Sequence, residues 1–172
     1  RQGVRLCFVV FDLLPLLRPD WWPTGMSARF EVWLRRLLGV ADTVCCISQS
    51  VAEELEAWMN GAALSFQYRR PAVHWFHLGA DLERSAPSTG WPDAYAKVTD
   101  AMNARPTFLM VGTLEPRKGH AHALTAFEAL WADGHALNLI IVGKSGWLID
   151  DLIERLRSHP ENGDRLFWLS NA

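Results

Sequence analysis

No stretch of this chain stays apolar for the roughly 18 residues that a membrane-crossing helix needs, so the sequence offers no candidate span. An excess of one charge is lacking too. The 17 Lys and Arg stand against 19 Asp and Glu, leaving a net charge of −2, and with a pI near 6.3 no global field attracts nucleic acid or anionic lipid. Cysteine is scarce: Cys7 and the adjacent Cys45-Cys46 are the 3 present. An odd, clustered set inside apolar strand-like runs makes a poor disulfide framework, and the expectation is buried, reduced thiols in a cytoplasmic protein. Nothing close in sequence would lower a thiol pKa, so the pair reads as packing rather than as a nucleophile. No Gly-x-Gly-x-x-Gly follows an apolar strand, which disfavours a dinucleotide site and with it an epimerase-like Rossmann enzyme. No Gly-x-Ser-x-Gly elbow or Ser/His/Asp spacing marks a hydrolase. Histidines do not gather either. His120 and His122 point to different sides of a helix, and His74 and His77 to opposite faces of a strand, so no metal is expected.

What is present is a globular composition. The 172 residues, 49% hydrophobic and 21% charged, suffice for one domain or parts of two. Val4 to Phe11, Thr43 to Ile47 and Val73 to Leu78 are apolar runs, as expected of strands covered on both faces. Between them lie two helical patterns. In the first, Ser27 precedes a stripe of Phe30, Trp33, Leu34, Leu37 and Leu38 that Gly39 stops. In the second, Ser50-Val51-Ala52-Glu53 reads as a capping box, with the helix ending at Asn60-Gly61. Glu83 to Pro92 carries Pro, Ser and Gly and reads as a connector, with a short helix from Asp93 to Asn103. The second half repeats the alternation: strands at Phe108–Val111, Leu137–Val142 and Arg165–Leu169, and a helix at Trp147–Ser158. Apolar strands alternating with helices predict parallel sheets in an α/β fold. Neither half has enough strands for a complete doubly wound sheet. The expected division is residues 1–81, a connector at 82–105, and residues 106–172. Nine tryptophans show no repeat period and read as core or interface packing, with a carbohydrate-stacking platform at Trp21-Trp22 as the functional alternative.

The most informative segment is FLMVGTLEPRKGHAHALTAFEALWADGHALNLIIVGK, from Phe108 to Lys144. A strand ends at Gly112, Pro116-Arg117-Lys118-Gly119 opens a helix, and a second strand ends at Gly143. Cations beside the positive end of a helix cost it roughly 0.3–1 kcal/mol unless an anion arrives. Free backbone N–H groups, a glycine that permits close approach and two fixed cations make a phosphate site. The plainer reading is that Glu115 neutralises both cations on a solvated surface.

These segments resemble the retaining glycosyltransferases of family 4, which have the two-domain GT-B architecture. Asp12-Leu13-Leu14-Pro15 is similar to the family's strand-end DLLP, and Ala41 to Val51 (ADTVCCISQSV) to its "aD-x-v-x-x-IS-x-S" segment. Leu78-Gly79-Ala80-Asp81 resembles the "GvD" closing the N-terminal domain. Val111 to His120 (VGTLEPRKGH) resembles the "VGt-x-EPRKGh" opening of the C-terminal domain, and Ile141 to Trp147 (IVGKSGW) the segment that follows it. Each piece alone is weak, but the five occur in order across nearly the whole chain. The resemblance implies the end of one Rossmann-like domain and the start of another. It implies transfer of a hexose, mannose for instance, from a nucleotide-diphosphate sugar to a glycan or lipid-linked saccharide acceptor, with retention, in surface polysaccharide synthesis. The donor diphosphate would be held by Gly112, Thr113, Arg117 and Lys118, without a metal or other cofactor. Family members often carry Arg where Thr113 stands, which shifts weight to Lys118. Asp12 and Ser48 would face the acceptor, although Phe11 replaces a histidine common in the family and Ser48 is equally a helix cap. Location would be cytoplasmic, with peripheral attachment at the inner face of a membrane left open. The helix from Ala28 to Leu38, with Arg29, Arg35 and Arg36, packs on a sheet as readily as on lipid.

Two glutamates eight positions apart, expected later in the C-terminal domain, and a glycine-rich loop expected early in the N-terminal one are not found. The chain is therefore expected to be an internal piece of a larger protein and inactive alone. A non-catalytic GT-B-like scaffold that binds a nucleotide sugar is the competing reading.

Overall fold

The computed structural model describes residues 3–67, 69–80, 83, 86, 90 and 95–170. Asp81, Asp93 and most of residues 83–92 of the expected connector lie outside the described residues. The chain forms two compact units, Arg1–Ala86 and Pro87–Ala172. No helix among the described residues is long and apolar enough to cross a membrane.

In the first unit the order is β1 (Cys7–Val10), α1 (Leu14–Leu17), α2 (Met26–Val40), β2 (Thr43–Cys46), α3 (Gln49–Gly61) and β3 (Ala72–Trp75). The strands form a parallel sheet in the order β1-β2-β3, with Val10 beside Cys46 and Cys46 beside Trp75. Val44 and Cys46 of the central strand are fully buried. They join a core with Leu34, Leu37 and Leu38 of α2 and Leu55 and Met59 of α3. Those helical positions recur at three- and four-residue spacing, which places each set on one face.

The second unit runs α4 (Tyr95–Ala104), β4 (Thr107–Val111), α5 (His120–Ala132), β5 (Asn138–Val142), α6 (Asp150–Ser158) and β6 (Leu166–Leu169). Its sheet is again parallel, ordered β4-β5-β6. The central strand β5 is apolar almost throughout because Leu139, Ile140 and Ile141 are buried on both faces. Leu139 and Ile141 pack with Leu124, Phe127 and Trp131 of α5 and Leu152 and Leu156 of α6. On the other face Ile140 meets Val98 and Ala101 of α4. The buried Asn138 ties these layers together: its amide donates to the Ala101 carbonyl at 2.7 Å and to Thr107 Oγ1 at 3.0 Å. Two three-stranded parallel sheets flanked by helices give the expected α/β class, of the Rossmann-like kind found in GT-B enzymes.

Several local expectations are corrected. Gly25, in the left-handed region at φ 80°, precedes α2 in place of Ser27. Gly39 lies inside α2 rather than ending it. Its carbonyl accepts the Gln67 N–H at 2.9 Å, and a Cβ there would stand 3.5 Å from the Ser65 carbonyl oxygen, an ordinary contact distance. Ser48, not Ser50, caps α3, accepting from Val51 N–H at 3.3 Å. The last helix starts at Asp150, since Leu148 at φ 55° cannot be helical. Asp150 and Asp151 then fill its first turn, where the helix dipole favours carboxylates.

Burial is also less complete than the apolar runs suggest. Phe11, Phe108, Leu109 and Val111 are more than half exposed, because β1 and β4 are edge strands, each paired on one side only among the described residues. For the same reason Cys7 is exposed, its Sγ 3.7 Å from that of Cys45, and only Cys46 is buried. Trp131 is buried, whereas Trp33 and Trp75 are nearly half exposed. One face of Trp21 is covered by the Arg18 guanidinium, 3.9 Å above the ring.

Candidate functional site

Ligands of parallel α/β sheets bind beyond the carboxyl ends of the strands. At that edge of the second sheet, β4 ends in Gly112 and β5 in Gly143. The loops that follow are stitched together. Gly112 N–H donates to the Val142 carbonyl, Leu114 N–H to that of Lys144, and Gly146 N–H to that of Leu114, each at 2.9 Å. Leu114 is fully buried and anchors this seam. A Cβ on Gly143 would overlap the Gly112 carbonyl oxygen and lie 2.6 Å from its carbon. One on Gly146 would lie 2.5 Å from the Leu114 oxygen. Only glycine lets the two backbones come this close.

From Glu115 the chain makes a 3-10 turn, Pro116–Lys118, and Gly119 in the left-handed region (φ 71°) then launches α5. The two cations therefore sit in the turn before the helix rather than in its first turn. Their fates differ. Glu115 is only 3% exposed, and its Oε1 receives Arg117 Nη2 at 2.8 Å. Lys118 stays exposed, without an ion pair among the described residues. Its Cε lies 3.9 Å from where a Gly112 Cβ would be, so the side chain folds back across the glycine at the end of β4. Glu115 thus takes one cation in a half-buried pair and leaves the other facing solvent. Thr113 is exposed beside it.

Behind the turn, His120 is 2% exposed. Burial, and next the Lys118 charge, push its pKa below the usual histidine value, while Glu115 acts in the opposite direction; the imidazole is held neutral. Glu115 Oε2, Arg117 Nε and His120 Nδ1 are buried and have no hydrogen-bond partner among the described residues. Beyond the apolar Leu114 and Pro116 that flank the carboxylate, no sequence signal marks Glu115 or His120 as buried. Among the described residues no 3 His, Cys, Asp or Glu side chains converge as a metal site requires.

In the first unit Asp12 and Ser48 each stand two residues beyond the paired Val10 and Cys46, at the carboxyl edge of that sheet. Both serve the backbone locally: Asp12 Oδ1 accepts from Leu14 N–H at 3.1 Å at the start of α1, and Ser48 caps α3. Cys46 sits deeper, its thiol pushed up to about 11 mainly by burial, so it is no nucleophile.

Residues 93–171 match the family model described as Glycosyl transferases group 1. Over 98% of its length the chain is 50% identical to the serotype-specific mannosyltransferase WbdA of Escherichia coli, and two further WbdA sequences from Escherichia coli match at the same identity. The chain spans about a fifth (20–21%) of the length of these curated relatives.

Proposed function

We propose that the protein containing this segment is a mannosyltransferase that moves the sugar from a nucleotide-diphosphate donor to a growing surface glycan or lipid-linked acceptor, with retention of anomeric configuration. The Glycosyl transferases group 1 match and the 50% identity to a mannosyltransferase support transfer chemistry. The observation that carries the donor site is the exposed Lys118, folded across Gly112 at the carboxyl end of β4.

Departure of a nucleoside diphosphate leaves negative charge on its β-phosphate oxygens, and a cation already in place stabilises that charge as it forms. Lys118 fills this role from the protein side, without a metal or other cofactor. Gly112 lets the loop backbone approach the phosphates, and the Thr113 hydroxyl supplies a further donor. Arg117 contributes through the Glu115 pair, which fixes the turn that presents Lys118. The first-turn N–H groups of α5 lack intrahelical partners and add positive potential on the same side. Asp12 and Ser48 are proposed for the acceptor side. Work at the cytoplasmic face of a membrane, on a lipid-linked acceptor, fits this chemistry.

The test is an assay of the full-length protein against a panel of nucleotide sugars, GDP-mannose and UDP-glucose among them, with the anomeric configuration of the product read by NMR. Transfer of mannose with retention is expected. Binding of a donor without turnover would establish the scaffold alternative instead.

A further inference from the structure

Lys144 enters the seam between the two loops through its backbone carbonyl. A nucleotide-diphosphate donor brings two negative charges, and with Arg117 committed to Glu115 the β4 loop offers Lys118 alone against them. The loop after β5 supplies what is missing. Lys144 directly follows Gly143, whose backbone lies against the Gly112 carbonyl with no room for a side chain, and Lys118 folds across that same Gly112. The Lys144 carbonyl takes the Leu114 N–H at 2.9 Å, so its backbone is fixed relative to the β4 loop. Leu114 and Ser145 form a parallel bridge that continues the sheet pairing into the loops. A third tie holds this segment from the far side, as Trp168 Nε1 donates to the Gly143 carbonyl at 2.9 Å. The side chain of Lys144 is exposed, like that of Lys118, and neither has an ion pair among the described residues. Lys144 thus adds a second exposed cation on a loop whose backbone is held against the one that carries Lys118.

We propose that Lys144 is the second cation of the anion site, sharing the donor diphosphate with Lys118, and that the stitched glycine seam exists to set this spacing. The proposal rests on the donor-site reading of Lys118 given above. It assigns the recognised group as a diphosphate, irrespective of the base and sugar attached.

Inorganic pyrophosphate is the probe, titrated by calorimetry into the full-length protein and its variants. Removing one charge-assisted phosphate interaction weakens binding by about 10-fold or more. Lys144→Ala is expected to weaken pyrophosphate binding by about that factor, Lys144→Arg to keep most of it, and the salt dependence of binding to flatten in the alanine variant. Wild-type affinity in Lys144→Ala together with weakened binding in Lys118→Ala overturns the assignment of Lys144 and leaves the donor-site reading standing. Unchanged binding in both variants, or none in the wild type, overturns both. Matching melting temperatures for the Lys144→Ala and Lys144→Arg proteins separate impaired binding from misfolding.

Discussion

Glu115 and Arg117 form an ion pair at 2.8 Å across a single 3-10 turn, with the carboxylate side chain 2% and the guanidinium side chain 29% exposed. The adjacent Lys118 stays in solvent. Two cations adjacent in sequence thus differ in environment: one neutralises a buried acid, and the other is left in solvent. Removing Arg117 strands a buried charge. Arg117→Ala should destabilise the second unit by about 3 kcal/mol, the low end for a broken buried pair because Arg117 keeps some exposure. Calorimetric unfolding of the full-length protein reads this, and the Glu115→Gln/Arg117→Ala double variant should lose less than the two single changes summed.

The glycine seam makes a second, graded prediction. At Gly119 the surroundings are open and only the left-handed φ of 71° resists a side chain, so Gly119→Ala should cost about 1 kcal/mol. At Gly143 a Cβ would collide with the Gly112 carbonyl, and no rotamer can relieve a clash with backbone. Gly143→Ala should cost at least twice as much and weaken donor binding, as it forces the β4 and β5 loops apart. Equal melting points for the two variants would contradict this.

The buried His120 ties stability to pH. Its folded pKa lies below the ordinary 6.5, so the unfolded chain binds the proton more readily. The contribution of the neutral ring is complete above about pH 6.5 and is lost as pH falls from there toward the lower folded value. His120→Gln should flatten that part of the stability profile. Because Lys118 is the second cause of the depression, Lys118→Ala should raise the His120 pKa toward 6.5, as followed by NMR titration. A bound phosphate anion should shift it in the same direction. An unmoved pKa in both cases would separate His120 from the site.

Much of the fold is legible in the sequence because its signals are collective. A run such as NLIIV can be apolar at every position but its first only where a strand is covered on both faces, and β5 is such a strand. Helix limits are less legible, since a glycine does not mark one end of a helix: Gly39 sits inside α2, while Gly25, in the left-handed region, precedes it. At the candidate site, Gly112 and Lys118 can be picked out from the strand-loop-helix pattern. The close approach of Gly112 to Gly143 joins loops that are distant in sequence, and the burial of Glu115 depends on the geometry of one turn. No local pattern encodes either.

Lys118 carries the donor-site proposal, and its removal in the full-length protein is the most direct trial. Mannose transfer by Lys118→Ala should fall at least 10-fold in kcat/KM, since a charge-assisted phosphate interaction is worth on the order of 1.5–3 kcal/mol, with the fold unchanged by circular dichroism. Wild-type kcat/KM in that variant would mean that the diphosphate does not lie over Gly112.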